Sequence, residues 1–244
     1  MLIATSLSVA SALLLSSALA APPPVTPTPL VIGVTVAVDI SPTLIPRVLA
    51  EAESIWRAAG VVIVWEREGG VEMHAPMLRV WIGGAKGLGS QEQAMPLGWI
   101  GFDEDGTPTR NIYVSHTNAQ ALLTMTESDR SPSRMPRAEK ETLLGRAMGR
   151  ALAHELGHFL LALKGHTETG LMRARRTATE FFSRDSSRFR IDAEQRAVVL
   201  SRLQPGGLLA VLLASAMPVI PGEPGTTARW TQDSAAHSRQ FERD

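Results

Sequence analysis

The motif His-Glu-Leu-Gly-His at residues 154–158 constrains this chain more than any other feature, because its chemistry requires a helix. Residues four apart lie one turn apart on an α-helix, with Cβ atoms about 5–6 Å apart, so two imidazoles can bind one metal ion. His154 and His158 have this spacing. The segment from Ala138 to about Leu163 contains no proline and is rich in strong helix formers. The sequence therefore predicts one long helix that carries both histidines on its C-terminal half.

Glu155 follows the first histidine directly and is turned about 100° around the helix axis. From there its carboxylate is too far aside to share the metal easily, but it lies near a water that the metal holds. On zinc with three protein ligands the pKa of such a water falls towards about 7, and a carboxylate can take its proton as the water attacks a peptide carbonyl. The proton then passes to the leaving amine. The motif predicts a zinc-dependent endopeptidase with Glu155 as general base; a surface helix with two solvated histidines is the alternative.

The third protein ligand is either His166 or a downstream carboxylate. Three carboxylates are candidates: Glu168, Glu180 and Glu194. Zinc sites prefer imidazole, which favours His166. A helix kept to Lys164 would rise about 9 Å beyond His158 at 1.5 Å per residue, leaving His166 little chain with which to return. We therefore expect the helix to loosen near Ala162, with Gly165 as the residue that adopts a left-handed conformation and turns the chain back.

Five segments before this helix have the β-branched or alternating apolar residues that are typical of strands. They are Leu30–Asp39, Val61–Glu66, Met77–Gly83, Leu97–Phe102 and Asn111–His116. Between the first two, Ser41-Pro42 opens an amphipathic helix that Gly60 closes. Ser186–Gln204 predicts a C-terminal helix, with one face formed by Phe189, Ala193, Ala197 and Leu200. The predicted fold class is α+β, a mixed sheet with an early helix, the helix of the two histidines and a C-terminal helix.

Both ends of the chain are expected to lie outside the folded domain. Residues 1–20 are apolar and uncharged and end in the small-x-small pattern of a signal-peptide cleavage site. Residues 21–29 then form a proline-rich linker, residues 30–204 the zinc protease domain, residues 205–220 a short apolar helix and residues 221–244 a polar, disordered tail. The apolar run is shorter than the roughly 20 residues that span a bilayer, which favours packing over a membrane tether. A secreted or periplasmic protein is predicted, with an uncleaved membrane anchor as the alternative.

The composition of the chain narrows its partners. Lys+Arg and Asp+Glu both total 24, and a formal net charge of zero leaves no excess basic surface for nucleic acid. The chain has no cysteine, so a metal must be held by His, Asp or Glu. The acidic stretch 103–106 lacks the ligand pattern of an EF-hand loop, and Asp-Gly favours a hairpin turn over a calcium site. We expect Zn²⁺ as cofactor, a peptide or protein as substrate, and a monomer.

The motif at residues 154–158, followed by His166 and then Thr-Gly-Leu-Met at residues 169–172, resembles the metzincin branch of zinc metalloproteases. The most similar members are the matrixin-like ones. This resemblance implies a zincin fold, in which a strand, a helix and further strands precede the active-site helix in an order similar to that predicted from Leu30 onward. It also implies that Leu97–Phe102 is the edge strand along which such enzymes bind an extended substrate by β-addition.

The resemblance assigns roles to single residues as well. It implies three zinc ligands, which are His154, His158 and His166. It implies Glu155 as the general base and Met172 as the methionine of the turn beneath the metal. Two positions depart from the family pattern: Leu161 holds the family's glycine position, and His166 falls two residues late. The competing hypothesis is a non-catalytic zincin-fold module that binds zinc or another protein.

Overall fold

Strands dominate the first half of the chain and helices the second. The structure is a computed structural model that describes residues 28–67, 77–84, 96–126 and 135–204. In chain order these residues form β1 (Leu30–Val36), α1 (Ile45–Ala58), β2 (Ile63–Arg67), β3 (Leu78–Gly83), β4 (Gly98–Phe102), β5 (Pro108–Ser115), α2 (His116–Thr126), α3 (Arg137–Leu161), α4 (Ala178–Phe182), a short 3₁₀ turn (Ser187–Phe189) and α5 (Ala193–Arg202). Each of the five predicted strands is present, with its ends shifted by a few residues.

The five strands form one sheet in the order β2-β1-β3-β5-β4. Strands β2, β1, β3 and β5 are parallel, whereas β4 is antiparallel to β5 and forms an edge of the sheet. Gly98 of β4 pairs with Val114, Ile100 pairs with Ile112, and the register shifts before Phe102. The predicted α+β class with a mixed sheet, an early helix, a long third helix and a C-terminal helix is confirmed.

The sheet buries the residues of one face, and the residues that alternate with them stay accessible. The buried set in the three central strands comprises Leu30, Ile32, Val34, Leu78, Val80, Ile82, Ile112 and Val114. On the opposite face, Trp81 and Tyr113 are 43% and 38% exposed. Helices α1 and α3 join the core, and the buried indole of Trp56 in α1 donates a hydrogen bond to the carbonyl of Ala153 at 3.1 Å. This bond anchors α3 directly before His154.

The C-terminal helix is shorter than predicted. It begins at Ala193 rather than Ser186, because the Asp192 side chain caps it by accepting a hydrogen bond from the Gln195 N–H at 2.7 Å. The preceding residues form the separate 3₁₀ turn. The predicted apolar face is also wrong in part: Phe189 is buried, but Ala193 and Ala197 are exposed. The helix buries Val199 instead, and Leu203 directly after it is buried too. Helices α2 and α4 have no counterpart in the prediction.

Several sequence predictions concern residues that the structure does not describe. The signal peptide at 1–20, most of the linker at 21–29, the apolar run at 205–220 and the tail at 221–244 all lie outside the described residues. Among the helices of the described ranges, none is long and apolar enough to cross a membrane. The acidic stretch 103–106 is described and forms a tight turn, in which the Gly106 N–H donates to the Asp103 carbonyl at 3.0 Å.

Candidate metal centre

Three histidine side chains converge where α3 ends. The ring centroids of His154 and His158 are 4.8 Å apart, and the ring of His166 lies 5.2 Å from the first and 4.9 Å from the second. One nitrogen from each ring can be chosen so that the three atoms all lie within 4.8 Å of one another. In the described part of the chain this is the one group of three or more His, Asp or Glu residues close enough to hold a metal ion.

Main-chain carbonyls orient the two helical histidines. Nδ1 of His154 donates to the carbonyl of Leu171 at 2.8 Å, and Nδ1 of His158 donates to the carbonyl of Leu163 at 2.6 Å. A ring that donates from Nδ1 keeps the lone pair of Nε2 for a metal. The two Nε2 atoms are 3.1 Å apart, close to the roughly 3.3 Å that separates two ligand nitrogens at tetrahedral angles on zinc with 2.0–2.1 Å bonds. The residues present therefore fit a small tetrahedral cation such as zinc.

Burial keeps both helical imidazoles neutral. It lowers the pKa of His154 to about 3, and the hydrogen bond to Leu171 opposes this shift only in part. Burial also lowers the pKa of His158. A metal ion binds the neutral form of imidazole, so protons compete little for these two ligands near neutral pH.

The C-terminus of α3 turns the chain towards His166. Ala162 adopts the left-handed conformation, with φ 49° and ψ 44°. Its N–H donates to the Phe159 carbonyl at 3.3 Å, and the Leu163 N–H donates to the His158 carbonyl at 3.1 Å, which is the Schellman pattern of helix termination. The helix ends where the sequence analysis expected it to loosen. The prediction that Gly165 is the left-handed residue is wrong, because Ala162 has that conformation and Gly165 has no positive φ.

Beyond this turn the chain folds back beneath α3. Thr167 and Arg173 form a β-bridge, and the Thr167 N–H donates to the Met172 carbonyl at 3.0 Å. Gly170, with φ 73°, reverses the chain between them. The bridge holds the residue after His166 beside Met172. The same loop therefore brings both the His166 ring and the Leu171 carbonyl to the histidines of α3. Met172 is fully buried against Gly157 of the histidine motif.

Glu155 lies against strand β4 and is not a member of the histidine group. Its side chain is buried and packs on Gly98, and the backbone N–H of Ile100 faces its carboxylate. Burial raises the pKa of Glu155 to about 8, although the N–H of Ile100 opposes the shift. A carboxylate with a pKa near neutrality can both take and release a proton at working pH, as a general base requires.

The three carboxylates considered as alternative ligands lie outside the histidine group. Glu168 and Glu194 are exposed. Glu180 is buried but engaged elsewhere: its carboxylate is 3.0 Å from Arg173 and 3.2 Å from Arg188. The backbone N–H of Thr177 and these arginines hold the pKa of Glu180 at about 2. The structure brings together His154, His158 and His166 and leaves these three glutamates apart from them.

Sequence reasoning missed the groups that support the site. They are the carbonyls of Leu163 and Leu171, the N–H of Ile100 and the small surface of Gly98. Three of these are main-chain groups, which every residue has, so no side-chain pattern marks them. Their positions follow from the course of the main chain, which depends on where α3 ends and on how β4 pairs with β5.

No family model matches this chain, and no curated protein sequence matches it. Among solved structures, the chain is similar to archaemetzincin from Methanopyrus kandleri, with a TM-score of 0.45 and 15% identity over 72% of this chain and 96% of that one. It is also similar to myroilysin, with a TM-score of 0.30 and 9% identity over 72% of this chain and 83% of that one. Likeness at this level transfers no activity to this chain.

Proposed function

We propose that this protein is a zinc-dependent endopeptidase of metzincin-like architecture, with His154, His158 and His166 as ligands. The observation that supports this proposal is the convergence of three histidines beside a buried carboxylate that is held against an edge strand. Neutral imidazoles with fixed Nδ1 donors are suited to zinc, and three protein ligands are what catalytic zinc sites use.

When bound, zinc supplies a Lewis acid that lowers the pKa of water and polarises a carbonyl. The chain's own carboxylate performs the proton transfers. Glu155 accepts a proton from the attacking water and delivers it to the amine that leaves when the peptide bond breaks. In the metal-free protein, burial raises the pKa of Glu155 to about 8, so this carboxyl group holds a proton more readily than an exposed glutamate, as that donor must.

Strand β4 supplies the surface on which we expect the substrate to bind. It forms the edge of the sheet that lies nearest the histidines, since Phe102 places its ring edge-on to His158 with centroids 5.7 Å apart. An extended peptide added to such an edge gains main-chain hydrogen bonds from several of its residues without needing a free terminus. This mode of binding favours an endopeptidase over an exopeptidase. Export through the signal peptide at residues 1–20 is part of the same proposal.

The proposal is tested on the purified chain starting at residue 21. Bound zinc is measured by atomic absorption, and peptide hydrolysis is measured with casein as substrate. Both measurements are made on the wild type, Glu155→Ala and His166→Ala. We expect about one zinc per chain in the wild type and in Glu155→Ala, with activity lost in the variant. We expect His166→Ala to lose both zinc and activity.

Three other outcomes separate the alternatives. A wild type that binds zinc without hydrolysing peptides supports the non-catalytic zinc-binding module. A wild type without zinc contradicts both zinc hypotheses. If His166→Ala retains zinc with unchanged affinity, His166 is not the third ligand.

A further inference from the structure

We propose that Gly98 is a positioning residue for the general base, in that the space left by its missing side chain fixes where the Glu155 carboxylate lies. This inference rests on the proposed function and adds one residue to its active site. Gly98 lies 57 residues before Glu155 in the sequence and outside the histidine motif. The evidence is the contact between β4 and α3.

The contact between Gly98 and Glu155 leaves no room for a side chain. A Cβ built on Gly98 would lie 3.0 Å from Cγ and 3.5 Å from Oε1 of Glu155, and 3.3 Å from the carbonyl oxygen of Tyr113. The first distance is tighter than ordinary van der Waals contact, so an added methyl group must push a neighbour aside. Tyr113 is fixed by its pairing in β5, opposite Trp99 of β4. The Glu155 side chain is therefore the neighbour that has to move.

Backbone conformation does not explain the glycine. Gly98 lies in β4 and has no positive φ, in contrast to Gly60, Gly106 and Gly170. An alanine could adopt its backbone angles without strain. The remaining requirement at this position is space, most of all beside Glu155 and less tightly beside the Tyr113 carbonyl.

A second contact from the same strand makes the placement specific. The backbone N–H of Ile100 faces the Glu155 carboxylate and acts to lower its pKa, and Gly98 precedes Ile100 on the same side of the strand. Ile100 thus offers the carboxylate a main-chain donor, and Gly98 sets its distance from the strand by steric contact. A carboxylate held by two contacts on one strand is preorganised for a proton transfer whose rate depends on its position.

The expected result of Gly98→Ala is a loss of turnover without a loss of metal. Displacement of a catalytic group by about 1 Å can lower kcat by roughly 100-fold, so we expect kcat to fall by about 10-fold or more, with KM changed less than about 2-fold. Bound zinc should stay at the wild-type level, because the three atoms nearest to the added methyl group belong to Glu155 and Tyr113 and not to a histidine.

The matched control is Gly83→Ala. Gly83 also lies in a strand without positive φ, and a Cβ there would approach the Ala37 Cβ at 3.3 Å, a comparably tight contact that involves neither Glu155 nor a histidine. Both variants are compared with wild type for zinc content, kcat, KM and Tm. A measurement independent of activity is added: the change in Tm caused by Gly98→Ala is determined in the wild-type and in the Glu155→Ala background.

We expect Gly98→Ala to lower kcat while Gly83→Ala does not. We also expect the change in Tm caused by Gly98→Ala to be at least about 2 °C more positive in the Glu155→Ala background than in the wild type. If the wild type is active but Gly98→Ala has the kcat of Gly83→Ala, or the same effect on Tm in both backgrounds, the positioning role is overturned and the proposed function stands. Loss of zinc from Gly98→Ala also overturns it. An inactive wild type overturns both.

Discussion

Met172 packs its thioether against Gly157, so closely that a Cβ on Gly157 would overlap the sulfur. Gly157 belongs to the histidine motif, and Met172 follows Leu171, whose carbonyl accepts the hydrogen bond of His154. This contact therefore joins the helix that carries two histidines to the loop that orients one of them and brings in the third.

Gly157→Ala tests this contact. In a helix the change from glycine to alanine ordinarily stabilises by about 1 kcal/mol. Here the added methyl group collides with Met172, and overpacking of this kind costs about 1–3 kcal/mol. We expect a net loss of stability in urea unfolding and, because the Leu171 carbonyl shifts, a roughly 10-fold weaker zinc affinity by chelator competition. A rise in stability would contradict the contact.

Ala162→Gly should stabilise the protein. An L-residue in the left-handed conformation costs roughly 1–2 kcal/mol, and Ala162 has φ 49°. Glycine adopts this conformation freely but loses more entropy on folding, so we expect a net gain of about 0.5–1 kcal/mol in the free energy of unfolding. Gly165→Ala serves as the control, because a Cβ there meets only Leu163 Cδ1, at 3.8 Å, and should change stability little. A loss of stability in Ala162→Gly would contradict the Schellman turn.

The end of α3 shows which part of the site could be predicted from sequence. The spacing of His154 and His158 fixes their common helix face whatever the rest of the chain does, so local geometry was enough to predict the pair and the carboxylate beside it. The position of His166 depends on which residue takes the left-handed conformation at the end of α3 and on the loop that follows. The conformational freedom of glycine predicted the left-handed residue at Gly165. In the fold it is Ala162, and this turn brings the Leu163 carbonyl to Nδ1 of His158.

The strands could be predicted from the sequence, but the length of the C-terminal helix could not. Strand patterns reflect burial on one face, which the sequence displays directly, whereas α5 is limited by the Asp192 cap and by the segment before it. That segment is bound elsewhere: the Arg190 carbonyl accepts a hydrogen bond from the Leu171 N–H at 2.8 Å. A pairing between residues far apart in the fold leaves no periodic signal, so the helix was predicted too long.

Glu155→Gln should change how the stability of the metal-free protein depends on pH. The pKa of Glu155 is raised from 4.5 to about 8, so the folded protein binds a proton that the unfolded chain has lost between these pH values. The stability linked to this proton is fully present below pH 4.5 and is lost as the pH rises to about 8. His154, with its lowered pKa, has the opposite effect and loses stability as the pH falls from 6.5 towards 3.

The comparison of Glu155→Gln with wild type isolates the carboxyl group, because the histidines are common to both. We expect the stability advantage of Glu155→Gln to grow by about 2 kcal/mol between pH 6 and pH 8, from urea unfolding in the presence of EDTA. Glu104→Gln, an exposed change in the turn of residues 103–106, is the control and should retain the wild-type dependence. An advantage that is constant with pH would show that Glu155 ionises normally in the folded state.

Glu180→Gln tests whether this carboxylate is structural. Glu180 is the shared counter-ion of Arg173, Arg176 and Arg188, at 3.0, 4.0 and 3.2 Å. Removing its charge takes the counter-ion from the buried Arg176, which keeps its bonds to the Gly170 and Arg188 carbonyls and its stacking on Phe189. We expect a loss of about 2–3 kcal/mol in stability, moderated because Arg188 is largely exposed. Zinc content should be unchanged. Glu194→Gln, at an exposed position, is the control; loss of zinc from Glu180→Gln alone would make Glu180 a ligand after all.

Acid should release the metal, because protons compete with it for the imidazole nitrogens. Burial lowers the pKa of His154 and His158, so protons compete for these rings only at pH values well below those at which imidazole ordinarily titrates. His166 is the exposed member of the group and the one that solvent reaches. We expect the logarithm of the zinc affinity to fall by well under three units per pH unit between pH 6 and pH 5, measured by competition with a chelator of known pH dependence. A slope near three would mean that all three rings titrate together, which contradicts the burial of the helical pair, and a flat profile would contradict a site made only of histidines.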